Sequence, residues 1–289
     1  MTAAAGPTPT TISPELRQVL RRLKLGQILS TLPERLVLAR QQHLPHQDFL
    51  ELVLADEVAR RDRTSASLRA RLARLDPAMV LEAWDESSEV SFDRQLWAEL
   101  TTLRFLEDAL NVLILGPVGV GKTFCANALG HIACRRHRSV IFERADRMFK
   151  RLKAARLDNS HDVEMRRLIR VDLLLVDDLA LQPLNAVETT DLYELVVERH
   201  RRASTLITSN REPAEWIALM ADPLLAQSAV DRLQSAAYEL VIEGPSYRQH
   251  EKPQLPGREP PTAPEGSEPP DPLRRVPPGA SQWRGRRSP

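Results

Sequence analysis

The sequence is poor in cysteine and in aromatic residues, and it lacks a long apolar run. Of its 289 residues two are cysteine, and aromatic side chains make up 4%. A core with few aromatic residues must be built from Leu, Val, Ile and Ala, which favours helices and a small buried sheet over an all-β fold. No run of about 18 apolar residues occurs, so we expect no membrane span. The segment from Met1 to Thr10 has neither the charged nor the apolar region of a signal peptide.

The two cysteines, Cys125 and Cys134, have no metal-ligand spacing and no ligand cluster beside them. Both fall within one predicted helix, where we interpret them as small apolar residues. This cysteine usage is typical of proteins in a reducing compartment, so we expect a cytoplasmic protein.

Three regions differ in composition. Residues 11–85 show apolar residues at helical spacing without a strand pattern, which predicts a small all-helical N-terminal domain. Residues 90–250 alternate apolar strands with helical stretches, which predicts an α/β domain. Residues 251–289 contain eleven of the chain's 22 prolines. Such a segment cannot bury enough apolar surface to offset its ordering entropy, so we predict a disordered tail.

The helical region, which we call the leader (residues 11–85), is basic. Residues 11–75 hold twelve Arg or Lys against seven Asp or Glu. Six arginines cluster in its second half: Arg60, Arg61, Arg63, Arg69, Arg71 and Arg74. The cluster fits either the solvated face of a long helix or a surface that contacts the phosphates of a nucleic acid. The sequence leaves both interpretations open.

Five short apolar segments in the second region predict strands of a mainly parallel sheet, because the spacing between them suits crossover helices. They are Asn111–Leu115, Ser139–Glu143, Asp172–Val176, Thr205–Ser209 and Tyr238–Ile242.

A phosphate-binding loop follows the first of these strands. Its glycines allow a tight turn whose backbone N–H groups surround phosphates, Lys122 can reach the β and γ phosphates, and the Thr123 hydroxyl can ligate Mg²⁺. The predicted nucleotide-binding residues are Gly116, Pro117, Val118, Gly119, Val120, Gly121, Lys122 and Thr123. The strand before the loop and the Ala-rich helical stretch after it provide the context that this motif requires, so we predict bound ATP.

A pair of acids supplies the carboxylate that such a site needs. Four apolar residues lead into Asp177 and Asp178, which places both acids at the carboxyl end of a buried strand. We predict that Asp177 holds Mg²⁺ and that Asp178 orients or deprotonates the attacking water. A strand that runs into an Asp-rich turn is the alternative.

Two further polar residues are candidates for catalysis. Asn210 ends the next strand, where its amide could bond to the γ-phosphate or to the water; a turn-forming Asn is the alternative. Arg232 follows an Asp and precedes a Leu in a predicted helix. We predict that it completes the site of a neighbouring subunit, and the alternative is an ion pair on the helix surface.

Together these motifs resemble one family, the IstB-like ATPases, which are AAA+ helper proteins of insertion-sequence transposition, and their relatives, the DnaC-type helicase loaders. The resemblance covers roughly residues 11–250 and rests on the P-loop, the Asp pair, Thr208-Ser209-Asn210, Asp231-Arg232-Leu233 and Gly244-Pro245-Ser246-Tyr247-Arg248. It implies an AAA+ fold with sheet order 5-1-4-3-2. It also implies ATP-dependent assembly of several copies on double-stranded DNA and a transposase partner.

Three other functions are alternatives to a transposition helper. A helicase loader shares the same ATPase residues. A small-molecule kinase needs an acceptor pocket and an arginine-bearing lid, whereas the Asp pair and Asn210 suit activation of water. Since Asp178 is shorter than the Glu of many ATPases, an assembly switch that binds ATP and hydrolyses it poorly is a further alternative.

Overall fold

Five strands form one parallel sheet. In a computed structural model, which describes residues 12–85 and 89–247, they are β1 Asn111–Leu115, β2 Val140–Arg144, β3 Leu173–Asp177, β4 Ser204–Ser209 and β5 Ala237–Val241. The strand order is β2-β3-β4-β1-β5, and each neighbouring pair is parallel. This confirms the predicted order 5-1-4-3-2, and each predicted strand lies within one residue of the observed one.

Two helices before β1 and the helices that connect the strands cover both faces of the sheet. They are α4 Arg94–Thr101, α5 Arg104–Glu107, α6 Lys122–Arg135, α7 Ala145–Leu157, α8 His161–Arg170, α9 Ala186–Arg199, α10 Pro213–Ala218 and α11 Pro223–Gln234. Strands β1, β3 and β4 are buried along their whole length, as expected for a parallel sheet with both faces covered. The α/β architecture predicted from the sequence is confirmed.

The sheet separates two apolar clusters. One contains Leu113, Leu174 and Ile207 together with the inner faces of α7, α8, α9 and α11. The other contains Leu175 and Leu206, and it is covered mainly by α6. Cys125 and Cys134 lie in this second cluster on α6, which confirms that they are small buried residues. Burial raises the pKa of the Cys125 thiol to about 12, so it stays protonated.

The leader contains three helices: α1 Pro14–Arg22, α2 Leu32–Gln41 and the 27-residue α3 His46–Leu72. Ser13 caps α1, whose first residue is Pro14, as its sequence predicts. The first half of α3 packs on a small cluster around Ile28, Leu32 and Val53. Its end and the residues after it pack in the cluster under α6 through Ala70, Ala73 and Leu75. The division at residues 85–90 stays a prediction.

Within the described residues no helix is long and apolar enough to cross a membrane. The predicted disordered tail, 251–289, lies outside the described residues, as does Arg248.

Four of the six clustered arginines have partners within the chain. Arg60 and Arg61 pair with the buried Glu57. The partner of Arg69 is the Cys134 carbonyl, and that of Arg74 is Glu143. The other two members, Arg63 and Arg71, are exposed. Two of these arginines therefore make contacts within the leader, and the other two join the leader to α6 and to β2.

Candidate nucleotide site

The predicted P-loop connects β1 to α6 as the motif requires. Its three glycines, Gly116, Gly119 and Gly121, have φ of 146°, 89° and 95°, which side-chain-bearing residues rarely adopt. Gly121 is the residue before the first turn of α6, which starts at Lys122. The loop therefore opens into a helix N-terminus, where unpaired N–H groups and the helix dipole favour bound phosphate.

The chain that follows β5 packs on the loop and gives a second reason for its glycines. A Cβ on Gly116 would lie 2.1 Å from the Ile242 carbonyl oxygen, and one on Gly119 would lie 2.0 Å from Ser246 Oγ. The Tyr247 N–H also donates to the Gly119 carbonyl at 2.9 Å. The chain that follows β5 is thus packed directly on the loop.

Lys122 lies at the start of α6 with its ammonium directed at the loop. Its Nζ donates to the carbonyls of Gly116 at 2.8 Å and Pro117 at 2.6 Å, and the residue is 7% exposed. Backbone carbonyls hold the amine where anionic phosphate oxygens would be stronger acceptors. The position agrees with the phosphate-binding role predicted for this lysine.

Asp177 and Thr123 are brought into direct contact. The Thr123 hydroxyl donates to Asp177 Oδ1 at 2.9 Å, and the Thr208 hydroxyl donates to the same oxygen at 2.6 Å. Both predicted metal ligands are therefore adjacent at the carboxyl edge of the sheet. A hydroxyl and a carboxylate are hard oxygen donors of the kind that Mg²⁺ takes, with water and phosphate oxygens as its remaining ligands. This donor set fits Mg²⁺ held beside bound phosphates.

Burial raises the pKa of the Asp177 carboxyl above its ordinary value, and the charge of Asp178 acts in the same direction. The hydrogen bonds from Thr208 and Thr123 and the charge of Arg144 oppose this effect. A carboxylate that is desolvated and close to a second acid gains most when a cation binds, because the cation offsets both costs.

Asp178 turns away from the strand. It has φ of 57°, and its N–H donates to Thr208 Oγ1 at 3.0 Å. Its side chain is 38% exposed, and Oδ2 lies 4.0 Å from Arg144 Nη2. The left-handed turn, which Asp tolerates better than most residues, thus directs one acid inward and leaves the next one open to solvent.

Asn210 follows β4 at the same edge of the sheet. Ser209 pairs with Leu115 in the parallel register, so Asn210 comes next to the start of the P-loop. Trp216 is fully buried, and its indole N–H lies 3.2 Å from both Ser209 Oγ and the Arg211 carbonyl. The tryptophan therefore anchors the turn that carries Asn210.

Arg232 lies apart from these residues, in the last turns of α11. Its guanidinium donates to the carbonyl oxygen of Ser228, at 2.9 Å, and to the Ser228 hydroxyl. Both partners are on its own helix, one turn earlier, so the ion pair considered as the alternative for Arg232 is not its contact here. A residue that acts on a neighbouring copy would not be expected to reach its own P-loop, so the predicted role of Arg232 stays a prediction.

Thr208 is the residue of the site to which the sequence assigned no role. It joins the two acids, because its hydroxyl donates to Asp177 and accepts from the Asp178 N–H. The pairing of Val176 with Ile207 places Thr208 beside Asp177. A hydroxyl residue at a strand end could have indicated this role, but only if the register between β3 and β4 had been known.

The arrangement suits transfer of a phosphoryl group to water. Backbone amides and Lys122 surround one end of the site, the oxygen ligands Thr123 and Asp177 lie at its edge, and Asp178 faces solvent next to them. No group of three or more His, Cys, Asp or Glu side chains that could hold a metal ion occurs among the described residues.

Comparisons with known proteins identify the family of this chain. The family model described as IstB-like ATP binding protein matches residues 18–255. A protein of Mycobacterium tuberculosis whose name describes ATP binding in an insertion sequence is 36% identical over 241 residues, covering 83% of this chain and 96% of its own length. A protein of Pseudomonas aeruginosa, named for ATP binding in insertion sequence IS21, is 33% identical over 238 residues, which make up 82% of this chain and 90% of that protein.

Among solved structures, the DnaC helicase loader is 20% identical, with a TM-score of 0.49 over 57% of this chain and 97% of its own. The family assignment rests on the sequence matches, which span most of the chain and include the leader. The chain belongs to the family of IstB-like ATP binding proteins.

Proposed function

We propose that this chain binds ATP with Mg²⁺ at the P-loop, hydrolyses it, and uses the nucleotide to assemble on duplex DNA as the helper of a transposase. The observation that carries the ATP-dependent part is the contact of Thr123 with Asp177 directly beside the loop. The insertion-sequence names of relatives that match more than 80% of this chain support the transposition part.

Each residue of the site has a defined task in this proposal. The loop amides and Lys122 bind the phosphates, while Thr123 and Asp177 would hold Mg²⁺, which when bound neutralises charge on the phosphate oxygens. Asp178 orients the attacking water and accepts its proton, which its exposure beside the site allows. Asn210 would bond to the γ-phosphate or the water from the neighbouring strand end.

Assembly would bring in Arg232 of a neighbouring copy. Its guanidinium is held by a hydroxyl and a carbonyl of its own helix and not by a carboxylate, so its positive charge is not neutralised by a partner there. An arginine placed against the γ-phosphate stabilises the charge that develops during transfer. Hydrolysis would then depend on assembly, which lets the bound nucleotide set the lifetime of the assembled state.

A mixing experiment tests this role. Arg232→Ala should bind ATP normally as isolated subunits but lose assembly-dependent hydrolysis. A mixture of Arg232→Ala with Lys122→Ala should recover part of the activity, because some interfaces then join an intact loop to an intact arginine. If Arg232→Ala alone hydrolyses ATP at the normal rate and mixing changes nothing, Arg232 does not act in trans.

Titration with duplex DNA tests the DNA part. The affinity should be higher with ATP than with ADP, and its logarithm should fall linearly with the logarithm of the salt concentration. Substitution of the exposed Arg63 and Arg71 by Gln should reduce the salt slope. The control is Arg202→Gln, because Arg202 lies on a surface turn and pairs with Glu198. Binding that is absent, or insensitive to salt, would contradict the proposal.

A further inference from the structure

One face of α6 contacts both the nucleotide site and the leader. Thr123, in the first turn of α6, bonds to Asp177. The residues one, two and three turns later on the same face contact the end of α3 and the residues that follow it, which we call the joint (residues 69–76). These residues of α6 are Asn127, Gly130, His131 and Cys134. Residues spaced by three or four positions share one side of a helix, so the two sets of contacts are in line.

Asn127 is the residue that links the two ends. Its side chain is 1% exposed, its Nδ2 donates to the Thr123 carbonyl at 2.8 Å, and its Oδ1 accepts from the Asp76 N–H at 2.9 Å. The orientation of the amide follows from its partners, since a carbonyl only accepts and a backbone N–H only donates. One buried amide thus connects the turn that carries a metal ligand to the backbone of the joint.

The other contacts of α6 make this connection close. His131 Nε2 lies 2.8 Å from the Asp76 carbonyl oxygen, so α6 contacts this residue through its carbonyl as well as its N–H. A Cβ on Gly130 would lie 2.8 Å from Leu75 Cδ2, which shows how tightly the joint packs on the helix. Arg69 Nε donates to the Cys134 carbonyl at 2.9 Å. The joint therefore contacts three successive turns of α6.

The joint is also fixed to β2. The Phe142 N–H donates to the Ala73 carbonyl at 2.9 Å, and Arg74 pairs at 3.2 Å with Glu143, a buried carboxylate that also pairs with Arg151. The joint is therefore bound on two sides, to α6 and to β2. Its connection to the rest of the leader runs through α3, whose middle turns, residues 61–65, are exposed between its two packed ends.

The start of α6 has to change partners when nucleotide binds. Lys122 Nζ now bonds to the carbonyls of Gly116 and Pro117, and the Thr123 hydroxyl donates its proton to Asp177. Bound phosphates would draw the ammonium away from those carbonyls, and a bound metal would take the hydroxyl oxygen as a ligand. Nucleotide would thus give the first turn of α6 a second arrangement, and close packing transmits such a change better than it dissipates it.

We propose that α6 couples the nucleotide site to the leader, with Asn127 as the positioning residue that links them. The coupling rests on the nucleotide binding of the proposed function and not on hydrolysis or DNA binding. Coupling between two sites is reciprocal. If nucleotide changes the affinity of the leader for a ligand by some factor, that ligand changes the affinity of the P-loop for nucleotide by the same factor.

Amide hydrogen exchange of the full chain, with and without a non-hydrolysable ATP analogue and Mg²⁺, tests the coupling. In the wild type, nucleotide should slow exchange in the P-loop and, by about 5-fold, in residues 69–76, the lower end of ordinary coupling between sites. In Asn127→Ala the protection of the P-loop should remain while the nucleotide-dependent protection of residues 69–76 is lost. A purely structural asparagine would change the baseline exchange and leave this difference intact.

Asn111→Ala is the matched control. Asn111 is also buried and makes two hydrogen bonds, to the Leu233 carbonyl at 3.1 Å and from the Thr205 N–H at 3.0 Å, but neither partner belongs to the leader. It should lose stability and keep the coupling. His131→Ala, at a half-buried position, is the milder variant and decides the matter if Asn127→Ala does not fold.

Each outcome has a distinct meaning. P-loop protection without protection of residues 69–76 in the wild type overturns the coupling and leaves the proposed function standing. Equal nucleotide-dependent protection of residues 69–76 in the wild type, in Asn127→Ala and in His131→Ala overturns the role of Asn127 and α6. If nucleotide protects neither segment, the proposed function and the coupling both fail.

Discussion

The nucleotide site and the leader are built in different ways. In the site, Lys122 and Asp177 are buried at the ends of buried elements, and the hydrogen bonds that orient them come from neighbouring strands and loops. In the leader, half of the described chain's exposed large apolar side chains lie between residues 12 and 75: Leu16, Val19, Leu23, Leu50, Leu54, Val58, Leu68 and Leu72. Its own small cluster is centred on four buried residues.

This difference indicates that the two regions have different roles, one in nucleotide chemistry and the other in contacts with partners. The geometry of the phosphate site is set within one chain, because the sheet fixes it. The leader keeps apolar and basic surface at the exterior, the kind of surface that marks interaction sites. The two regions meet at the joint. Substitutions in one region, with their effects measured in both, therefore test whether the two roles are separate.

The largest effect is expected at the loop. Lys122→Ala removes the cation that two loop carbonyls now hold. The affinity for ATP should fall by about 100-fold or more, since charge-assisted bonds to phosphate are among the strongest in proteins. Titration with a fluorescent ATP analogue measures it, and circular dichroism should show an intact fold. Retained tight binding would refute the assignment of the loop.

Asp178→Asn should separate binding from hydrolysis. The amide keeps the size of the side chain but cannot accept the proton of water, so turnover should fall by about 100-fold, as for loss of a general base. The affinity for ATP should stay within a few-fold of the wild type. Single-turnover kinetics with radiolabelled ATP measures the rate. An unchanged rate would remove the proposed role of Asp178.

Asp177→Asn should lose hydrolysis and gain stability. The pKa of Asp177 is raised in the folded state, mainly by burial, so its stability contribution is present at acid pH and lost as pH rises through the raised value. At pH 7 the neutral amide should raise the free energy of unfolding by on the order of 1 kcal/mol. Its Oδ1 can still accept from Thr123 and Thr208.

Urea unfolding at pH 7 and at mildly acid pH checks the effect of Asp177→Asn. The gain should shrink toward acid pH, where the wild-type carboxyl takes up its proton. A variant that is less stable than the wild type at pH 7 would show that the hydrogen bonds outweigh desolvation.

The smallest effect is expected in the leader. Hydrogen bonds from Arg60 and Arg61 lower the pKa of Glu57 from 4.5 to about 2 against the opposing effect of burial. A lowered pKa contributes stability above the ordinary value that is lost as pH falls from about 4.5 towards 2. Glu57→Gln should therefore weaken the helical signal of the leader in urea at pH 7 and remove this acid sensitivity.

Glu51→Gln, an exposed change on the same helix, is the control for Glu57→Gln. The ATP affinity of Glu57→Gln should stay within about 2-fold of the wild type, because the partners of Glu57, Arg60 and Arg61, lie in the leader and not at the P-loop. A loss of ATP affinity as large as that of Lys122→Ala would contradict the separation of the two regions.

The sequence predicts the sheet, and it identifies the residues of the candidate phosphate site, because the signals of both are local. Four apolar residues before Asp177, and glycines at fixed spacing before Lys122, are readable without knowledge of contacts. The joint is not readable in this way, because Asn127 and Asp76 are far apart in sequence and neither has an unusual neighbour. The contacts of the arginine cluster are hidden for a related reason, because the Cys134 carbonyl and Glu143, the partners of Arg69 and Arg74, are far away in the sequence.

Arg199 illustrates the same limit more strongly. It ends α9 in a position typical of a surface arginine, but it is 1% exposed and donates to the carbonyls of Leu168, Ile169, Val171 and Ser204. Burial lowers its pKa to about 10. Only the assembled sheet and the end of α8 create this set of acceptors, so no local pattern could predict it.

We propose that ATP hydrolysis by this chain is linked to its assembly on DNA. ATP turnover of the full chain with and without duplex DNA, measured beside its assembly state with ATP and with ADP, tests this proposal. Turnover should rise when DNA is present, and ATP, but not ADP, should produce the larger assembly. A chain that binds ATP, shows no turnover in either condition and has the same assembly state with both nucleotides would contradict it.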